Sequence, residues 1–292
     1  MYSECIFFIF LGIRINVMKK IMKRTSILVS IAAVLCLVLF SNCGGKKGAE
    51  APAQDSLSAE ERSALFAYPI PTSYEVTEML NNAGAAYILT LINDPKSVDN
   101  YITEKSKALN LGIYSADLCY TSTYNMKQDM MGLLESAKKL IDNLEINTPF
   151  TQKFLQRMEA NSENKDSTVV ILSESIQDSY AFLKSNNKED VTLLVMSGSL
   201  VEGLYITTQM ATLYPNNQEL LKIVAAQKTT FKEVYKMLEP MSGNEEIKEI
   251  FESFGGVSEF YESVSIGMPV DGDQLKEITK MIEGIRTKIV AG

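Results

Sequence analysis

Apolar residues recur at spacings of three and four along the chain after Thr72, which is the periodicity of amphipathic α-helices. No run shows sustained alternation with a period of two, so the pattern predicts no β-strand. The prolines of this region fall at the ends of the predicted helices: Pro95, Pro149, Pro215, Pro240 and Pro269. We predict an all-α fold, an irregular multi-helix bundle of antiparallel helical hairpins with about nine or ten helices, forming a single domain over residues 72–292.

Start and stop signals set the bounds of these helices. Thr72 with Glu75 resembles a capping box, and Asp94 is placed to cap a helix whose first residue is Pro95. The stretch 189–214 is apolar on nearly every face, which predicts a central position in the bundle. The predicted helices span 73–92, 94 to about 112, 114–143, 148 onward, 166 to about 183, 189–214, 217–239, 245–254, 257–266 and 274–290.

The N-terminal part has the organisation of an export signal. An apolar run from Ile27 to Phe40 follows a short basic stretch, which is typical of a signal peptide and predicts one over residues 18–42. The run is shorter than the roughly 20 residues that span a bilayer. An uncleaved signal-anchor is the alternative. Residues 1–17 fit poorly before such a signal, and we interpret them as an artefact of an upstream start site.

The run ends in Ser41-Asn42-Cys43, which resembles the lipobox of bacterial lipoproteins, although that motif usually has Gly or Ala before the Cys. With its helical body, the chain is similar to the all-helical lipoproteins of the Bacteroidota. The resemblance implies that Cys43 is acylated and that a lipid anchors the protein in the cell envelope. The small and polar residues that follow predict a flexible linker, so that residues 43–71 comprise the lipidated Cys and this linker. In that group, surface export is associated with acidic residues just after the Cys, so the resemblance, with Lys46 and Lys47 at this place, implies an outer-membrane protein that faces the periplasm.

Composition excludes several functional classes. The chain has no His, which excludes His-based triads, His-metal sites and histidine proton shuttles. Its net charge of -8 is unfavourable for nucleic-acid binding, which needs a basic face. Removal of residues 1–42 takes away five basic residues and one acidic residue, which leaves a net charge of -12 and only Cys43 and Cys119. No disulfide framework, cofactor motif or metal-binding motif is indicated.

Two stretches carry residues that are unusual inside helices. In the predicted helix 189–214, small residues around Gly198 precede Glu202 and Tyr205 on the same face, and Asp117 lies in a stretch rich in tyrosine and threonine. Close helix packing with internal hydrogen bonds explains each stretch, and so does a ligand cleft. The candidate ligand-binding residues are Tyr87, Tyr114, Asp117, Tyr120, Tyr124, Gly198, Glu202 and Tyr205.

These features predict a membrane-tethered helical binding or scaffold protein of the cell envelope, which holds a small ligand or an envelope protein in a cleft. One alternative is a glycan hydrolase in which Asp117 and Glu202 are the catalytic carboxylates, since glycoside hydrolysis requires no His. A structural envelope-assembly protein with an exposed apolar patch is another. Two carboxyl groups roughly 5 to 10 Å apart in one cleft would favour the hydrolase. Their placement on opposite surfaces would remove the predicted cleft.

Overall fold

The computed structural model describes residues 73–146, 149–161, 164, 167–168, 171, 186 and 188–292. The α-helices with described bounds are α1 (Ser73–Asn82), α2 (Glu104–Thr123), α3 (Lys127–Asn143), α4 (Pro149–Asn161), α5 (Glu189–Leu213), α6 (Gln218–Leu238), α7 (Glu245–Ser263) and α8 (Gly272–Ala291). Short 3-10 helices span Leu89–Leu91, Pro95–Asn100 and Glu239–Met241. No strand occurs within the described ranges, and the predicted all-α multi-helix fold is confirmed.

Helix α5 lies at the centre of the described residues and packs against α1, α2, α6, α7 and α8. Its length and apolar composition are sufficient to cross a membrane, but 89% of its most apolar window is buried inside the protein. The neighbouring helices therefore account for the composition, because a helix enclosed on all sides is apolar on all sides. The predicted central position of residues 189–214 is confirmed.

Helices α2 and α5 touch backbone to backbone where two glycines meet. A Cβ atom on Gly112 would lie 2.6 Å from the Ser199 amide nitrogen and closer still to the Val195 carbonyl oxygen. A Cβ atom on Gly198 would lie 2.8 Å from the carbonyl carbon of Leu109 and closer still to its oxygen. Each glycine admits the backbone of the other helix, so close packing explains the small residues that interrupt the apolar pattern of α5.

The first predicted helix, 73–92, is wrong beyond Asn82. Gly84 adopts a left-handed conformation with φ of +83°, and the Ala85 N–H donates to the Leu80 carbonyl while the Gly84 N–H donates to the Asn81 carbonyl. This pair of hydrogen bonds is the Schellman motif that ends many helices at a glycine. Residues 85–88 therefore leave the helix, and the chain continues to Leu91 in extended and 3-10 conformations.

The bounds of the second and third predicted helices are also wrong. Asp94 caps only a 3-10 helix, and α2 starts from a new cap at Thr103 and continues through Gly112. Gly112, near which the predicted second helix ends, lies inside α2 and admits the backbone of α5. The predicted helix 114–143 is divided between α2 and α3, because Asn125 has a positive φ of 58°.

The remaining helices agree more closely with the prediction. Helices α5, α6 and α8 begin and end within two residues of the predicted bounds, and α4 begins at Pro149. The separate predictions for 245–254 and 257–266 are wrong, because α7 runs through Gly255 and Gly256 without a break. The signal peptide, Cys43, the linker and most of the helix predicted from residue 166 lie outside the described residues.

Candidate functional site

A buried charged cluster joins α2, α5 and α8, which contribute Asp117, Glu202 and Arg286 respectively. Glu202 receives two hydrogen bonds from the guanidinium: Arg286 Nε lies 2.6 Å from Oε2, and Arg286 Nη2 lies 2.8 Å from Oε1. The guanidinium carbon of Arg286 also stands 4.1 Å from the ring centroid of Tyr205, a cation–π contact. Asp117 and Glu202 are both 0% exposed, so the two predicted carboxylates meet inside the core.

Burial affects both carboxyl groups of the cluster, but their neighbours differ. Removal from water raises the pKa of Asp117 well above its usual range, and the adjacent Glu202 carboxylate raises it further. Burial also raises the pKa of Glu202, but the hydrogen bonds and positive charge of Arg286 oppose that effect. Arg286 therefore pairs directly with Glu202 through both carboxylate oxygens, whereas Asp117 is the carboxyl group that burial and the neighbouring negative charge disfavour in its ionised form.

Above this cluster lies an irregular segment, residues 85–94, which we call the strap. Side chains of α2 and α8 form hydrogen bonds with its backbone. Three strap carbonyls accept hydrogen bonds: Ala85 from Tyr124 Oη (2.7 Å), Leu91 from Arg286 Nη2 (3.1 Å) and Asp94 from Tyr114 Oη (3.0 Å). Two strap N–H groups donate: Ile88 to Tyr120 Oη (2.8 Å) and Asn93 to Asp117 Oδ2 (3.0 Å). Because much of this segment is not helical, its backbone groups need such external partners.

The tyrosines of α2 pack around the strap as well as bonding to it. Tyr87 of the strap lies with its ring centroid 5.0 Å from that of Tyr120 and 5.8 Å from that of Tyr124. Its hydroxyl donates to Asp129 Oδ2 of α3 at 2.8 Å. Burial raises the pKa of Tyr124 to about 12, and it also raises the pKa of Tyr87 and Tyr120. These phenols are neutral hydrogen-bonding groups near neutral pH.

The structure assembles most of the candidate residues into two adjoining groups, at the strap and at the helices that it packs against. Tyr87, Tyr120 and Tyr124 form the first group. Asp117, Glu202 and Tyr205 form the second. Tyr114 lies on α2 as well, with its ring 6.2 Å from that of Tyr101. Gly198 lies at the α2–α5 contact. The candidate residues that the sequence predicted to line a ligand cleft thus have the strap of the same chain packed against them.

Arg286 belongs to the cluster but was missed at the level of sequence. It lies four residues after Ile282 and three before Ile289, so it shares the apolar stripe that α8 turns toward the core. A basic residue on an apolar stripe needs a buried acidic partner, since an unpaired buried charge is costly. That signal was present in the sequence, and Glu202 on an otherwise apolar helix was its counterpart.

Comparisons of the chain with protein-family models, with curated proteins and with solved structures found no match. Within the described part of the chain, no group of three or more Cys, Asp or Glu side chains is arranged to hold a metal ion. Cys119 is free and buried, and burial raises the pKa of its thiol to about 12.

Proposed function

We propose that this chain is a membrane-tethered, non-catalytic helical binding or scaffold protein of the cell envelope, anchored by a lipid on Cys43. The observation that supports the non-catalytic part is the enclosure of Asp117 and Glu202. These two carboxyl groups are the acidic pair that the sequence offers for chemistry, and both are fully buried beneath the strap. The lipobox-like Ser41-Asn42-Cys43 supports the anchor and the location.

The geometry is unfavourable for the glycan hydrolase considered as an alternative. Glycosidases hold two carboxyl groups about 5 to 9.5 Å apart on either side of a sugar, with access for substrate and water. Here Asp117 and Glu202 are both fully buried and act on each other directly. Glu202 is also engaged by Arg286 through both oxygens. A sugar would have to displace the strap and break this ion pair before it reached either group.

The cluster has a structural role that fits a scaffold. Arg286 connects α8 to the strap, and Asp117 connects α2 to it. Glu202 of the central helix α5 pairs with Arg286 and lies next to Asp117. A buried, hydrogen-bonded ion pair of this kind holds elements in one arrangement, and its disruption is expensive because a charge is left unpaired. A protein that offers a fixed surface to a partner benefits from such rigidity, since less conformational entropy is lost on binding.

The anchor is tested by metabolic labelling with a palmitate analogue. We expect Cys43→Ala to abolish the label, because the acylated thiol is lost, and Cys36→Ala to retain it as a matched control within the apolar run. Equal labelling of wild type and Cys43→Ala would remove the lipid anchor from the proposal.

Binding is tested by chemical cross-linking in native membranes, followed by affinity purification and mass spectrometry. We expect a specific cross-linked partner for the wild type and its loss in the untethered Cys43→Ala variant. A wild-type chain without any partner, together with glycan cleavage that Asp117→Asn abolishes, would instead support the hydrolase.

A further inference from the structure

The buried cluster contains more negative groups than positive ones. Two carboxyl groups, Asp117 and Glu202, accompany one guanidinium, and the Arg286 side chain itself is only 13% exposed. If both carboxyl groups were ionised, one negative charge would remain uncompensated in the core. An isolated buried carboxylate is so costly that such a group binds a proton instead. The charge count therefore requires one proton within the pair.

The hydrogen bonds of Asp117 locate this proton. Its Oδ2 accepts the Asn93 N–H, whereas its Oδ1 is buried and receives no donor. A buried carboxyl oxygen without a donor is satisfied if it carries a hydrogen and donates it. The Glu202 carboxylate lies within hydrogen-bonding reach of Asp117 and is the available acceptor. Two carboxyl groups can make such a bond only when one of them is protonated.

We propose that Asp117 is a neutral carboxylic acid whose Oδ1–H donates to Glu202, so that the Asp117–Glu202–Arg286 cluster is electrically neutral and loosens when this proton is lost. The contacts that this cluster makes between α2, α5, α8 and the strap therefore weaken as the pH rises. This inference is independent of the proposed function, because it concerns the folded domain alone.

The groups that face the cluster do not supply a second positive charge. Asp117 is faced by Glu202 and Tyr205 of α5, by Arg286 of α8 and by Tyr87 of the strap. The titratable groups near it on α2 itself are Tyr114, Cys119 and Tyr120. Glu283 of α8 acts on Tyr205 and adds further negative potential. Since the phenols and the thiol are neutral near pH 7, Arg286 is the cation that acts on Asp117 in this part of the structure.

The sign of the pH dependence follows from the raised pKa of Asp117. An unfolded Asp releases its proton near pH 4, whereas the folded chain retains it to higher pH. The folded state therefore binds one more proton over this window, and stability falls as pH rises through it. One such proton lowers the folding equilibrium constant by up to about tenfold per pH unit. Above the pKa of the folded state, the contribution becomes constant.

The test compares wild type with Asp117→Asn. An asparagine has the same shape, donates an N–H to Glu202 and accepts from the Asn93 N–H, but it cannot ionise. Exposed Asp273 lies in the first turn of α8, and Asp273→Asn is the matched control for the loss of one Asp. Infrared spectra at neutral pH report protonated carboxylic acids, and urea unfolding from pH 4 to pH 9 reports stability.

We expect a buried carboxylic-acid band in wild type and in Asp273→Asn that is absent from Asp117→Asn. We also expect the folding constant of Asp117→Asn, relative to wild type, to rise by up to about tenfold per pH unit above pH 4 before it levels off. Isotopic labelling of Asp side-chain carboxyl carbons in the wild type assigns the band even if the variant does not fold. An unshifted band, or no band in the labelled wild type, would overturn the proposal. So would a parallel pH profile for a folded Asp117→Asn.

Discussion

Replacement of Gly198 by alanine should destabilise the fold, although alanine is the better helix former. The added Cβ atom would enter the backbone of α2 at Leu109, where the helices already touch. Real Cβ atoms do not approach other atoms to less than about 3.0 Å, so α2 and α5 would have to separate by about 1 Å. No flexible side chain can move aside, because the obstructing atoms belong to the backbone.

Two opposing terms determine the magnitude. Glycine to alanine within a helix gains about 1 kcal/mol of helix propensity. Overpacking of a tight contact costs about 1–3 kcal/mol and occasionally more. A gap of 0.5–1 Å also forfeits a quarter to a half of the dispersion energy of the atoms it separates. Because the contact involves the backbones of both helices, we expect the cost to lie at the upper end, with a net loss of at least about 2 kcal/mol.

The assay is urea unfolding followed by circular dichroism, with Gly256→Ala as the matched control. Gly256 lies inside α7, and a Cβ atom there would meet nothing within 4 Å. The control should therefore be more stable than wild type by about 0.5–1 kcal/mol, which is the helix-propensity gain alone. If Gly198→Ala were as stable as Gly256→Ala, the close contact of α2 with α5 would be refuted.

Three further predictions concern the buried groups. Arg286→Met should lower the free energy of unfolding in urea by about 3–5 kcal/mol, because it leaves Glu202 unpaired. Glu202→Gln in the same chain should recover much of that loss. If the effects of the two substitutions were simply additive, the pairing would be contradicted. Tyr120→Phe should lower the free energy of unfolding by about 1–3 kcal/mol, because the Ile88 N–H loses its acceptor. Amide hydrogen exchange in the strap should become faster, and unchanged exchange would contradict that contact. The Cys119 thiol, whose pKa burial raises to about 12, should react with a thiol reagent only as the chain unfolds, and rapid modification of the native protein would contradict its enclosure.

The helical character of the chain followed from the spacing of its apolar residues, and the central position of α5 followed from its apolar residues on nearly every face. Where the sequence-based bounds failed, a glycine or asparagine had two possible meanings. Gly84 ends a helix, whereas Gly112 lies inside one and admits α5. Periodicity does not distinguish these cases, because the difference is whether another helix lies against the glycine. Asn125 divides a predicted helix because it adopts a positive φ, which asparagine tolerates better than most residues.

The sequence identified most residues of the candidate site but not the contacts that they make. Glu202 was a candidate because it lies in an otherwise apolar helix, and Asp117 because it lies in a stretch rich in tyrosine and threonine, and the two do meet in the structure. The sequence did not show that Arg286, 84 residues after Glu202, pairs with it. It also did not show that the strap places its carbonyl and amide groups over α2, because that depends on the early end of α1 at Asn82.

The sequence by itself determined the helical class of the fold and the central position of α5, since the transfer of apolar side chains from water drives folding and sets a helical period that is readable without a structure. Tertiary structure alone decided what the buried polar residues do. A carboxyl group in an apolar stretch is compatible with catalysis or with support until its partners are known. In this protein, Arg286 and the strap supply those partners, and the cost of burying an unpaired charge explains why the three residues occur together.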